Sequence, residues 1–169
     1  TPERWNEDCA FGSSVSVSGH FVAIGSPWTE YGRGSVTVYE SNQGIWNTGT
    51  RLSLSGSPWD RFGQSVSLDG ESLIVGAPGR NNSAGEAYAY RYRYGEWELE
   101  TNHASLPVGA PAAGDQVGSA VAIDGARAVI GAPQPQGRSG TDAIDTDGDG
   151  YVVVRVVSEP TNVTVADSF

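Results

Sequence analysis

The chain has 169 residues, long enough to bury a real core, and its 38% apolar residues, 23 Gly and 9 Pro suit short strands joined by turns. Twenty acidic residues oppose ten basic ones, all of them Arg, and a net charge of −10 argues against a phosphate-backbone partner, so no nucleic acid is expected. No window keeps a 3.6-residue apolar period, and none approaches the ~20 apolar residues of a membrane-spanning helix.

Residues 1–10 carry no hairpin of their own and read as a lead-in, or as the end of a preceding unit. Within them Cys9 is the sole cysteine, so no disulfide can form inside the chain. Phe11–Pro27 then holds two short β-prone runs around Ser18-Gly19, closed by Gly25-Ser26-Pro27. Beyond a loop at Trp28–Arg33, Gly34–Tyr39 alternates small polar with apolar residues, the two-residue period of a strand. A turn at Ser41–Gly44 leads to Ile45-Trp46 and to a fourth strand near Thr50–Leu54.

The same order returns at Phe62–Pro78, where Asp69-Gly70 separates the two runs. An Asp-Gly pair between β-prone segments predicts a tight hairpin with a type I′ turn, and Pro78 stops the second strand because it cannot donate to a ladder. Gly85–Tyr90 predicts the third strand, Arg93–Gly95 a turn, and Glu96–Glu100 a fourth strand. Trp46 and Trp97 hold the same place in the two units and read as packing aromatics. Tyr88, Tyr90, Tyr92 and Tyr94 alternate with Ala89, Arg91 and Arg93, which sets four rings on one side of a strand. Packing between sheets is the main reading of those rings, and a sugar-stacking surface the sharper one.

Val117–Pro133 repeats the hairpin once more around Asp124-Gly125. A longer loop follows at Gln134–Gly150, then a predicted strand at Tyr151–Val157 and another at Asn162–Val165. The three units start at residues 11, 62 and 117, so the spacing is 51 and then 55 residues. A fixed period of this size signals a repeat architecture.

The recurring Phe-Gly … Gly-Ala-Pro frame, as in Phe62-Gly63 … Gly76-Ala77-Pro78, resembles the FG-GAP repeat known from integrin α-subunits and many surface proteins. The resemblance implies an all-β fold: β-propeller blades of four antiparallel strands, about three of them, forming part of a larger and seven-bladed ring. The blades would be residues 11–61, 62–116 and 117–169. A blade buries each face against a neighbour, so three blades leave two apolar flanks open. Further blades are therefore expected, on a longer chain or on other copies.

One acidic run has the spacing of metal ligands. Asp145-Thr-Asp147-Gly-Asp149-Gly150-Tyr151 sets carboxylates at positions 1, 3 and 5, Gly at 6 and a backbone carbonyl at 7, which opens a Ca²⁺ loop. Val153 and Val156 replace the later acidic ligands, and Asp142 is the upstream candidate to substitute. A solvated acidic turn is the competing reading. Integrin-type repeats carry their Ca²⁺ loop between the first two strands, where this chain has only two-residue turns, so the family's own ligands do not transfer.

Catalytic chemistry finds little support. His20 and His103 are the only histidines, His20 beside an exposed turn, and neither a Gly-x-Ser-x-Gly elbow nor a Cys–His pair is present. Two glycosylation sequons occur, at Asn81-Asn82-Ser83 and Asn162-Val163-Thr164. These features, with the resemblance, point to a non-enzymatic extracellular or cell-surface protein whose propeller segment mediates adhesion or assembly with protein partners. The alternatives are a glycan-binding module and an accessory propeller of a secreted hydrolase. For the acidic loop, calorimetric titration is expected to show Ca²⁺ uptake at millimolar concentration or below, lost when Asp145 and Asp147 are both changed to Asn.

Overall fold

The computed structural model describes residues 9–100 and 111–133, and the backbone of 151–156. Among these residues the chain is built almost wholly of antiparallel strands in three sheets, each opening with one of the predicted hairpins. The first holds β1 (Ser14–Ser18), β2 (Phe21–Ser26), β3 (Ser35–Asn42) and the short β4 (Ile45–Trp46), with β5 (Thr50–Leu52) also paired to β3. The second runs β6 (Ser65–Asp69), β7 (Ser72–Ala77), β8 (Glu86–Arg93) and β9 (Glu96–Leu99). The third shows β10 (Ala120–Asp124), β11 (Arg127–Ala132) and β12 (Tyr151–Val156). The further strand expected at Asn162–Val165 lies outside the described residues.

The hairpin turns differ from the expected type. Asp69 pairs with Ser72 inside the ladder, so Gly70 and Glu71 are the central residues. Gly70 has φ +53°, while Glu71 keeps a negative φ. Glycine leading a two-residue loop is the pattern of a type II′ turn, not I′. The physical reason is register: the ladder extends one residue further than the Asp-Gly reading allowed, which moves Asp69 out of the turn.

Alternation along the strands builds two cores, each between neighbouring sheets. Val66, Leu68, Leu73, Val75, Tyr88 and Tyr90 of the second sheet pack on Phe21, Ala23, Val36, Val38 and Leu52 of the first, together with Phe62. The opposite face of the second sheet, with Ile74, Ala87 and Ala89, packs on Ala128 and Ile130 of the third, together with Val117. Phe62 and Val117 thus seal seams: Phe62 bridges to Gly34 in parallel, and Val117 bridges to Gly85 in the same way. Full burial of a ring like Phe62 stabilises by about 3 kcal/mol.

The sheets meet closely because glycine faces glycine. A Cβ at Gly25 would strike the carbonyl of Gly63, and one at Gly76 the carbonyl of Gly118. Serine hydroxyls stitch the same seams. Ser14 Oγ donates to the Gly63 carbonyl and Ser65 Oγ to that of Gly118, each at 2.8 Å. In the other direction, the backbone N–H of Leu68 donates to Ser16 Oγ at 2.9 Å and that of Ile123 to Ser67 Oγ at 3.1 Å. At the hairpin tips Gly70 N–H donates to Ser18 Oγ, and Gly125 N–H to Asp69 Oδ2.

Gly131 occupies the equivalent place in the third sheet, yet among the described residues a Cβ there would meet only Ala120, at 3.6 Å. Gly76→Ala is therefore expected to cost about 2–3 kcal/mol or more through overpacking, and Gly131→Ala less than about 0.5 kcal/mol. Chemical denaturation of the two variants checks the contrast.

Candidate functional site

Most of the predicted metal ligands, Asp142, Asp145, Asp147 and Asp149, lie outside the described residues, as does Asn162. Tyr151 opens β12, where it pairs with Ala132. Asn81 is exposed in the four-residue turn Arg80–Ser83, at φ +52°, and its Nδ2 donates to Glu86 Oε1 at 2.7 Å. Among the described residues no three His, Cys, Asp or Glu side chains cluster as metal ligands would.

The tyrosine row of β8 is a packing element. Tyr88 and Tyr90 are buried and Tyr92 is packed against the first core, while Ala87 and Ala89 face the other seam. Tyr94 has φ +53° in the turn and is fully exposed, so it leaves the row. The rings are not exposed together, which removes the sugar-stacking surface proposed for them. Trp97 behaves as expected, packing edge-on against Phe21 with centroids 5.1 Å apart. Trp46 does not: it is exposed on β4. Trp97 has the first sheet beneath it, whereas no described residue lies beneath Trp46 in the same way.

Burial raises the phenol of Tyr90 to about 12. Tyr88 is pushed further up, first by burial and then by its hydrogen bond to Glu86. The Tyr92 phenol is raised mainly by donating to Glu40 Oε2 at 2.8 Å.

A polar staple joins the first and second sheets. Asp60 is buried, and its Oδ2 accepts from the Ser57 backbone N–H and from Arg80 Nη1, both at 2.8 Å. Arg80 Nε also donates to Glu86 Oε2 at 2.9 Å. Asp115 repeats the first half of this arrangement, accepting from the Ala112 N–H at 2.7 Å while buried. The signal was present in the recurrence of Asp two residues before Phe62 and Val117, which marks a turn-closing carboxylate.

A second feature escaped the pattern reading. The turn Thr29–Gly32 contains left-handed Glu30 (φ +51°) and Tyr31 (φ +61°), and the strand run-in facing it contains left-handed Trp59 (φ +72°). Trp59 N–H donates to the Tyr31 carbonyl at 3.2 Å. The Trp59 indole meets that of Trp28 edge to face, centroids 5.9 Å apart. The available signal was the doubled triplet Ser26-Pro27-Trp28 and Ser57-Pro58-Trp59.

His20 is exposed and lies 3.8 Å from the Glu40 carboxylate, beside no nucleophile among the described residues.

Residues 52–90 match the family model described as the FG-GAP repeat. This stretch is similar to the FG-GAP repeat. It begins in the last strand of the first sheet and ends in the third strand of the second, so the matched segment carries Asp60, Phe62, Arg80 and the seam glycines Gly63 and Gly76. FG-GAP repeats serve as protein–protein interaction modules, are generally non-catalytic and occur in extracellular proteins. No curated protein matches the chain. Among the described residues no helix is long and apolar enough to cross a membrane.

The buried phenols carry a pH signature. Tyr90 and Tyr88 are neutral in the fold, so their contribution to stability is complete below pH 10, the unfolded value. It is lost as pH rises from there through about 12, because only the unfolded chain ionises them readily. Ultraviolet difference titration is expected to show the Tyr88 and Tyr90 phenols ionising only with alkaline unfolding.

Proposed function

We propose that this chain is a non-enzymatic extracellular FG-GAP β-propeller segment, and that its open sheet flanks mediate assembly with further repeats, either of its own chain or of other copies. One observation carries the reading: the uncovered face of the first sheet repeats, position by position, the covered face of the second. Val15, Val17, Val22, Ile24, Tyr39 and Trp46 stand 51 residues before Val66, Leu68, Leu73, Val75, Tyr90 and Trp97. Val66 and Leu68 are 8% and 6% exposed against the neighbouring sheet, whereas Val15 and Val17 are 65% and 70% exposed.

The occupant that fits is a sheet face like the one already under Val66 and Leu68, an apolar surface of Ala23, Val36 and Val38 around Gly25, with Phe21 at one end. The far face of the third sheet is of this kind, with Ala122 and Val129 exposed and Gly131 open. Contiguous apolar surface of this sort is uncommon on a solitary soluble chain. An adhesion or filament role follows from such a contact, since it adds repeats without catalytic groups.

Sedimentation over a concentration series is expected to show self-association of the chain. Val15→Lys with Val17→Lys is expected to abolish it and leave the melting temperature within about 2 °C, because both side chains are exposed. A chain that stays monomeric throughout would refute assembly between copies.

A further inference from the structure

The repeats act as an internal comparison, and the comparison isolates one place. Where the second sheet meets the third, the turn and the facing run-in use Gly79, Asn82 and Gly114. Where the first meets the second, the same positions are Trp28, Tyr31 and Trp59. The backbone is alike at each: Trp28 and Gly79 have φ −101° and −83°, Tyr31 and Asn82 have φ +61° and +59°, and Trp59 and Gly114 have φ +72° and +94°.

Two of these positions demand a left-handed backbone, which Gly and Asn adopt at little cost and a bulky side chain does not. Strain of about 1–3 kcal/mol per site persists only where something else requires it. Core burial does not require it here. Trp28, Tyr31 and Trp59 are 41%, 74% and 64% exposed. Three aromatic rings have thus replaced Gly, Asn and Gly in one seam, against local preference and without shelter from water.

We propose that Trp28, Tyr31 and Trp59 form a glycan-binding platform that stacks β-linked pyranose rings. Four observations select this ligand class. The rings are largely exposed and Trp28 meets Trp59 edge to face, which leaves indole surface on which a sugar can lie, whereas a quaternary ammonium needs enclosing walls. The patch is three side chains wide, small beside the roughly 800 Å² per partner of a protein interface. The chain's net charge of −10 repels polyanions and leaves neutral polymers. Finally, Glu30 of this turn forms an exposed ion pair at 2.8 Å with Arg51 of β5, which sets an acceptor and a planar donor for hydroxyl groups beside it. A pyranose with all substituents equatorial presents flat C–H faces to an indole and hydroxyls at its edge, which is the chemistry this arrangement matches. The platform is separate from the open flanks, so either proposal can fail without the other.

Cellohexaose and chitohexaose are the probes, each titrated calorimetrically and by indole fluorescence. At least one is expected to bind, and Trp59→Gly is expected to weaken that binding tenfold or more. The same variant should melt within a few degrees of the parent, since Gly suits the left-handed position. Tyr31→Asn makes the equivalent exchange and carries the test if Trp59→Gly fails to fold. The proposal is overturned if neither sugar binds at about 10 mM, well above useful lectin affinities, or if the variants bind as the parent does. It is equally overturned if a proline-rich peptide or tetramethylammonium binds through these rings while both sugars do not.

Discussion

Backbone-to-backbone contact between glycines of successive sheets is the constraint on which the rest of this structure depends. Gly25 against Gly63 and Gly76 against Gly118 bring the sheets closer than any side chain would allow. That approach puts Ser14 and Ser65 within reach of a neighbouring carbonyl, and Ser16 and Ser67 within reach of a neighbouring N–H. It also lets Phe62 and Val117 be buried by residues from the sheet before them. Hydrogen bonds of this kind are worth only about 1 kcal/mol each, so their service is to fix the offset of one sheet on the next, while apolar burial supplies the stability.

Much of this was legible in the residues. The hairpins, the third strands and the alternation of β8 follow from period-two patterning, which local backbone geometry enforces. The turn type did not follow, because an Asp-Gly pair reads the same whether Asp closes the ladder or enters the loop. Trp46 misled for a different reason. Its sequence position matches that of Trp97, but burial depends on what lies across the seam, and no repeat pattern records that.

The polar staple and the aromatic seam were missed because both depend on conformation more than on composition. Asp60 looks like a surface acid until the Ser57 N–H and Arg80 are found around its carboxylate. Trp59 looks like a packing residue until its positive φ and its exposure are seen together. Repeats are informative here in a way that single domains are not. Gly114 states what the backbone prefers at that site, and Trp59 departs from it within one molecule.

The hairpin tips also give the molecule a direction. Ser18 accepts from Gly70, and Asp69 accepts from Gly125, so each unit offers an oxygen forward and receives one from behind. Two copies related by a two-fold axis would set acceptor against acceptor on the third sheet's flank, or N–H against N–H on the first sheet's, and an isologous pair satisfies neither. Growth by the same contact is heterologous: it ends only when the rotation per unit returns to its origin, and otherwise continues as a fibre.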